Sequence, residues 1–472
     1  MGIKIFKSKL SEFKNDPYAR FDVDYLDLYK SFFNLKQKKY LNDFITFIET
    51  GKSITKEDYN NAPSEYAHIV VRNIKNGELK LSNLVYLNED KGEDLAPFRL
   101  KKDDILIAIS SNVGSSCIID QNYDINLTLS HYIARIRVDE NKINKNLLVH
   151  YLNSKLIQEY FRCTETGKTL KNLSKTYIHR LPIILPSDID LQKEIVNQIK
   201  PIEKSIKKLK TRQDEDVNII NRVLGEELNL DIDKFEKLKT ENKFGSNLKE
   251  FSNNIDCRFS FKFHNKAGQF VWDFLFSKTN KRIKDFISEP IVLGKSVSPK
   301  DYDNDGDYYY IAMSSIKTWA FDPEGCKTVS NTYSKANKNK SVQKDDIILA
   351  RSGEGTIGKV ALIEDEEIDA IHADFTQRIR LTNYNARLAY YYMRSDLFQY
   401  LVYTHKKGLG NNTNIFPSQV QEFPIPDWEE TKQTELVDKI KTQIDAQKEI
   451  DKQITKKQAE ISAIIEKAIQ TE

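Results

Sequence analysis

The sequence predicts an α+β protein: two homologous α/β domains joined by two long antiparallel helices that form a coiled coil. Three observations carry this. A series of short motifs is written twice at a nearly constant offset, each copy mixes short β-rich runs with short helical ones, and each copy closes on a long charged stretch with a heptad of apolar positions. At 472 residues the chain exceeds one ordinary core, so two or more domains are expected on length alone.

The repeat comes first because it settles the architecture. "SKLSEFKNDPYARF" from Ser8 is answered by "SNLKEFSNNIDCRF" from Ser246, and "LNDFI" from Leu41 by "IKDFI" from Ile283. "GKSITKEDY" from Gly51 pairs with "GKSVSPKDY" from Gly294, and "KKDDILIAIS" from Lys101 with "QKDDIILARS" from Gln343. "ARIRV" from Ala134 meets "QRIRL" from Gln377; "LPI" at Leu181 meets "FPI" at Phe423; "LQKEIVNQI" from Leu191 meets "KQTELVDKI" from Lys432. The offset stays between 246 − 8 = 238 and 294 − 51 = 243, so the correspondence is collinear.

Within each half the grammar is the same. "HIVVRNI", "DILIAIS" and "YIARIRV" are β-branched runs bounded by turn residues and read as strands. A helical stretch follows ("NKNLLVHYLNSKLIQEYF"; "NARLAYYYMRSDLFQYLV"), then a Gly/Asn/Thr/Lys loop, a Pro-Ile strand and a long helix. The expected layout is a first domain over 1–187, a first long helix over 188–230, a linker with the second domain over 231–428, and a second long helix over 429–472.

The long helices carry a seam. Ile195, Ile199, Ile202, Ile206, Leu209, Ile220 and Val223 alternate at spacings of four and three, with Gln213 and Asp216 filling two positions. Ile440, Ile444, Ile454, Ile461, Ile465 and Ala468 do the same in the second, with Gln447, Asp451 and Gln458 on that seam. Two matched helices in one chain favour an intramolecular antiparallel pair, whose seam polars set register.

Composition narrows the function classes. Lys and Arg total 72 against 69 Asp and Glu, so any basic surface must be local. No apolar run approaches the roughly 20 residues of a membrane span, and no signal-peptide pattern opens the chain. The scattered Cys117, Cys163, Cys257 and Cys326 suit reduced thiols in a cytoplasmic protein, and the histidines form no metal-ligand spacing. No Pro-Pro dipeptide is present, which excludes the adenine-holding tetrapeptide of DNA methyltransferases. The Asp103-Asp104 and Asp345-Asp346 pairs precede apolar strands and read as turn residues. Glu89-Asp90-Lys91 reads as a solvated loop. The pattern is that of a binding protein without catalytic residues or a metal.

One stretch argues otherwise. "RSGEGTIGKVALI" matches the dinucleotide pattern through Gly353, Gly355 and Gly358, and most of a phosphate loop through Gly353, Gly358 and Lys359. An NTP-binding enzyme using Gly353–Lys359 is the alternative, with a coiled-coil protein-interaction scaffold as a third reading. Both fingerprints need a helix after the glycines, and a P-loop needs Ser or Thr after the lysine. Val360 and an apolar run follow, so a glycine-rich hairpin is expected.

Binding residues concentrate in loops. The candidates for DNA contact are Lys52, Ser53, Lys56, Tyr59, Arg72, Ser110, Asn112, Lys168, Lys171 and Asn172 in the first half. In the second they are Lys295, Ser296, Lys300, Tyr302, Ser314, Arg351, Ser352, Lys359, Lys406, Lys407, Asn411 and Asn412. Lysines suit phosphates, while Asn, Ser and Arg also suit base edges.

With its duplicated domain-plus-helix layout, "KKDDILIAIS" and "QKDDIILARSGEGTIGKVALI", the G…N loop before Pro-Ile, and "LQKEI" and "KQTEL", the chain resembles the specificity (S) subunit of type I restriction–modification enzymes. The likeness covers nearly the whole chain. It implies two target-recognition domains, each reading half of a split double-stranded DNA target, with the helices as a ruler and as docking surface for two methyltransferase subunits. Restriction subunits would join in some assemblies. No cofactor is expected on this chain: S-adenosylmethionine, and ATP with Mg for restriction, would sit on the partners. The glycine stretch keeps only Gly114 in the first half, so the two half-sites should differ.

Overall fold

The structure is a computed structural model; it describes residues 39–75, 77–166, 171–241, 243–245, 258 and 260–470, with the side chains of Asn411 and Gln470 excepted. The first repeat motif of each half, apart from Arg258, lies outside these residues, as do Lys168 and Cys257. The chain divides into two compact units, Met1–Arg212 with Lys452–Glu472, and Gln213–Asp451.

Among the described residues of the first unit nine strands form: β1 Ile45–Thr50, β2 Tyr66–Ile69, β3 Ile74–Lys75, β4 Glu78–Leu79, β5 Val85–Tyr86, β6 Ile105–Ala108, β7 Ser116–Ile118, β8 Asn126–Leu129 and β9 Ile133–Val138. They build a four-stranded antiparallel sheet in the order β1-β9-β6-β7, a three-stranded sheet β5-β2-β8, and a β3-β4 hairpin. The second unit has β10 Val292–Leu293, β11 Tyr308–Ile311, β12 Lys327–Val329, β13 Ile347–Ala350, β14 Val360–Leu362, β15 Ala370–His372 and β16 Thr376–Ile379. Its sheets run β10-β16-β13-β14 and β12-β11-β15, the same topology as the two larger sheets of the first unit; among the described residues the β3-β4 hairpin has no counterpart. In both, the central strand of the smaller sheet has one parallel neighbour, β2 with β8 and β11 with β15.

Side-chain alternation explains the unbroken apolar runs. Ile105 and Ile107 of β6 face a helical core with Leu147, Tyr151 and Phe161, while Leu106 faces the smaller sheet with Ala67 and Leu127. In β13, Ile347 and Leu349 pack toward the helices, and Ile348 and Ala350 toward Ile311 and Ala370. Burial on both faces favours apolar residues at every position of such a strand.

Other shared motifs resolve into fastenings. The backbone N–H of Asn144 donates to Gln192 of "LQKEI" and that of Asn385 to Gln433 of "KQTEL", both at 2.7 Å. Each glutamine donates in turn to a carbonyl, Pro186 or Trp428, also at 2.7 Å, which fixes the start of each long helix to its own domain. The Pro-Ile segments form no strand: Pro182 and Pro424 make single bridges to Tyr40 and Arg282. Proline has no N–H for a ladder, and its carbonyl accepts from Tyr151 or Tyr392. Each helical stretch is two helices, Lys145–Leu152 and Lys155–Thr164, then Ala386–Arg394 and Asp396–His405, interrupted at Ser154 and Ser395. Glu89–Asp94, expected as a loop, is a short helix capped by Asn88, whose side chain accepts from the Lys91 N–H at 2.8 Å.

The first long helix departs most from expectation. It is helical over Ile189–Lys210, continuing through Pro201, stops at Thr211, and starts again as Asp216–Leu228. Three acidic residues, Asp214, Glu215 and Asp216, stand at the restart, where the helix dipole favours negative charge. Asp214 accepts from Asn218 and Arg222, both at 2.9 Å, and the Arg222 guanidinium holds its carboxyl below the usual range. The second long helix is continuous over Glu430–Gln470.

In the second unit Asp216–Leu228 lies antiparallel to the first part of that helix. Glu227 pairs with Lys432, Glu226 with Lys439, Arg222 with Gln443 and the Asp214 N–H with Gln447. The seam polars Gln213 and Asp451 meet at 2.5 Å, as register-setting residues would. Ile220, Val223, Ile440 and Ile444 are buried beneath these pairs. In the first unit Ile195 and Ile199 share a core with Ile465 and Ala468, with Ile461 partly buried against it. Ile206, Leu209 and Ile454 are buried, and Ile202 is half-buried. Described parts of the expected linker are structured too: helices Ile232–Thr240 and Lys266–Lys278 bury Phe235, Val271 and Leu275 in the second core. Among the described residues no helix is long and apolar enough to cross a membrane.

Candidate nucleic-acid interface

In each unit four loop segments meet at one end of the sheets, and backbone bonds show why. In the first, the Lys52 N–H donates to the Leu129 carbonyl (3.1 Å) and the Lys52 carbonyl accepts from His131 (3.2 Å), joining the Gly-Lys-Ser loop to the β8–β9 turn. That turn joins the β6–β7 loop through Ile109 N–H to Tyr132 carbonyl (2.9 Å). The β6–β7 loop joins the Gly/Asn loop through Ser111 N–H to Lys171 carbonyl (3.1 Å) and a Ser110–Asn172 bridge. The second unit repeats the scheme: Lys295 N–H to His372 (3.1 Å), Arg351 N–H to Phe375 (3.0 Å), and a Ser352–Asn414 bridge.

The glycine opening the first loop explains its place. A Cβ on Gly51 would stand 1.7 Å from the Leu129 carbonyl oxygen, and one on Gly294 2.0 Å from that of His372. Only glycine lets these backbones touch. Gly294→Ala is therefore expected to displace the Lys295–Ser296 loop and to cost about 1–3 kcal/mol in stability, checked by urea unfolding; a neutral effect would contradict the close approach.

The glycine-rich stretch is the β13–β14 hairpin, with Ile348 opposite Ala361. A strand follows the glycines, so neither nucleotide fingerprint has its helix. Gly358 is the position shared with Gly114. Both have φ +86° and donate their N–H to the strand residue Ala350 or Ala108. Both carbonyls accept from a helix glutamine, Gln399 at 2.9 Å or Gln158 at 3.0 Å. Glu354 pairs with Lys262 (3.0 Å) and Lys406 (3.1 Å), which draw its carboxyl down to about 2.

The predicted site residues divide accordingly. Lys52, Ser53, Lys56 and Tyr59 are exposed, as are Lys295, Ser296 and Lys300. Tyr302 is packed edge-on against Tyr310 beneath Lys327. Asn112, Lys171, Asn172, Lys407 and Asn412 are exposed near the junctions; Asn112 donates to Ser115 and Lys171 pairs with Glu165. Arg72 and Ser314 are exposed on segments after β2 and β11, outside the four-loop junction, with Arg72 held by the Asn83 carbonyl at 3.1 Å. Several assignments change. Ser110 and Ser352 are buried at the bridges, and Lys406 is buried on Glu354. Arg351 lies over the Phe416 ring at 5.8 Å. Lys359 donates to the Lys317 carbonyl at 2.7 Å and lies 5.7 Å from the Trp319 ring centre. Lys359→Ala should thus leave the salt dependence of DNA binding unchanged, where loss of a phosphate contact would reduce its slope by about one; a salt titration of binding checks this.

Sequence reading missed two features. The turn aspartates are buried: Asp104 takes Arg137 at 2.6 Å and Arg135 at 3.3 Å, and Asp346 takes Arg380 through two bonds of 2.7 Å. These arginines are the constant letters of "ARIRV" and "QRIRL", so two repeat motifs are one ion-pair cluster. Arg135 also meets Glu49, and Arg378 meets Glu289 at 2.8 Å. Buried neutral histidines are the second feature. His68 bonds Thr128 at 2.9 Å and His372 bonds Thr376 at 3.1 Å. Burial lowers them from 6.5 to about 4 and about 3. Below pH 6.5 the unfolded chain takes protons that the folded one refuses, so stability declines as pH falls from 6.5 toward 4. His372→Gln should flatten that decline in unfolding curves taken at pH 7 and 5.

Comparisons with known proteins follow the same lines. The S subunit of a type I restriction-modification system from M. genitalium is 15% identical, covering 92% of this chain and 94% of that one, with TM-score 0.42. An HsdS subunit from Thermoanaerobacter tengcongensis is 11% identical over 92% and 96%, with TM-score 0.30. A chain from a structural study of the assembly and conformational transition of the type I R-M system is 11% identical over 92% and 97%, with TM-score 0.46. Comparison with curated proteins finds no match. The sequence model of the type I restriction modification DNA specificity domain matches twice, over residues 4–217 and 277–460. These two matches cover most of the chain, one in each half, and the chain belongs to the type I restriction–modification DNA specificity family.

Proposed function

We infer that this chain is the DNA sequence-recognition subunit of a type I restriction–modification system, each unit reading one half of a bipartite, asymmetric target. The observation that carries the reading is the four-loop junction, built twice on the same backbone bonds but with different side chains. A shared frame with unlike loops suits two half-sites of different sequence. The paired long helices set the unread spacer and hold two methyltransferase subunits, and restriction subunits in some assemblies. Methyl transfer, S-adenosylmethionine and any ATP-driven cleavage belong to those partners, and this chain works without catalysis in the cytoplasm. Gel shifts of the chain with its methyltransferase, on duplexes with and without the target, test this. Binding indifferent to sequence would contradict it.

A further inference from the structure

Among the exposed aromatic residues that belong to no core, one in each unit stands at the same place in the repeat. Tyr132 is 39% exposed and Phe375 is 47% exposed. A single exposed aromatic is ordinary; these two are the same position. Tyr132 precedes β9 as Phe375 precedes β16, at the repeat offset 375 − 132 = 243. Both close the same turn, with Ile133 N–H to Ser130 carbonyl and Thr376 N–H to Ala373 carbonyl, each at 2.9 Å. The carbonyl of each accepts from the start of the hairpin loop, Ile109 or Arg351. The turn only needs that backbone, which any residue supplies. Its other letters differ between the halves, "SHY" against "ADF", yet the aromatic ring is kept.

The surroundings state what such a ring would meet. The turn is bonded on one side to the Lys52–Ser53 or Lys295–Ser296 loop, and on the other to the loop that meets Asn172 or Asn414. An exposed ring set among lysines, serines and asparagines matches the chemistry of duplex DNA. Amines and hydroxyls hold phosphates, and an apolar ring takes a base face or a thymine methyl.

We propose that Tyr132 and Phe375 are specificity-determining residues, each placing its ring against a base of its own half-site. This rests on the sequence-recognition reading above. The two rings are not interchangeable. Tyr132 carries a hydroxyl and leans on His131, with ring centres 3.7 Å apart, whereas Phe375 has no hydroxyl and follows Asp374. The same position therefore offers a hydrogen bond in one half-site and only apolar contact in the other.

The test uses the complex with its methyltransferase subunits, the target duplex, and duplexes with one, the other or both half-sites scrambled. Tyr132→Ala and Phe375→Ala should each weaken target binding by about tenfold, leave binding to the doubly scrambled duplex unchanged, and relax the base preference in one half-site only. Tyr132→Phe and Phe375→Tyr should keep most of the affinity, since the ring remains. Replacing thymine by uracil in the target separates the two contacts: a loss matching the alanine variant identifies the methyl group, and no loss identifies the base face. Wild-type affinity and motif in both alanine variants would overturn the proposal, as would equal weakening on target and scrambled DNA. A wild-type complex that ignores sequence would instead overturn the recognition reading itself.

Discussion

Replacing Asp346 with alanine is expected to destabilise the second unit by about 3 kcal/mol, the lower end of the cost of breaking a buried ion pair. The carboxylate is fully enclosed and accepts from Arg380 twice and from the Gln343 N–H at 2.8 Å. Its removal leaves Arg380, 23% exposed, with Glu289 at 3.2 Å as its remaining carboxylate partner, and it frees the turn at Asp345, whose φ is +69°. Asp104→Ala should act likewise on the first unit, where Arg137, 37% exposed, recovers hydration but Arg135, 4% exposed, does not. Urea unfolding followed by tryptophan fluorescence reads the second unit directly, because Trp272, Trp319 and Trp428 all lie within it. Stability within a few tenths of a kcal/mol of wild type would show that the cluster is ornamental.

The second large effect concerns the spacer. One added heptad lengthens a helix by about 10 Å and keeps the apolar seam in phase. Placed in both the Ile189–Lys210 helix and the facing part of Glu430–Gln470, it should leave the Gln213–Asp451 pair intact. The methylated motif should then keep both half-sites and gain about three unread base pairs, at about 3.4 Å each. A heptad in one helix alone shifts Ile195 and Ile199 away from Ile465 and Ala468 and should abolish specific methylation. An unchanged motif after the double insertion would mean that the helices do not measure the spacer.

The duplication was legible because it depends on residue order alone. Strands β6 and β13 were legible because burial on both faces favours an unbroken apolar run. The helix break at Thr211–Glu215 was not, since the heptad spacing runs on through it, with Gln213 and Asp216 at the seam positions between Leu209 and Ile220. Only the acidic cluster Asp214–Asp216 marked a new helix start. Within the site, glycine and lysine spacing located the loops but not the fate of each side chain. Lys406 and Lys359 look like free cations in sequence, and their partners Glu354 and Lys317 are 52 and 42 residues away. The same holds for Asp104 and Arg135, 31 residues apart, which read separately as a turn and a strand. Pairings at such distances follow from tertiary placement rather than local pattern.

The central claim is that this chain chooses the DNA sequence on which its partners act. Mapping methylated bases genome-wide in cells with and without the gene tests it most directly. One split, asymmetric motif should lose its methylation entirely when the gene is removed, while all others persist. Methylation that is unchanged at every motif would contradict the account.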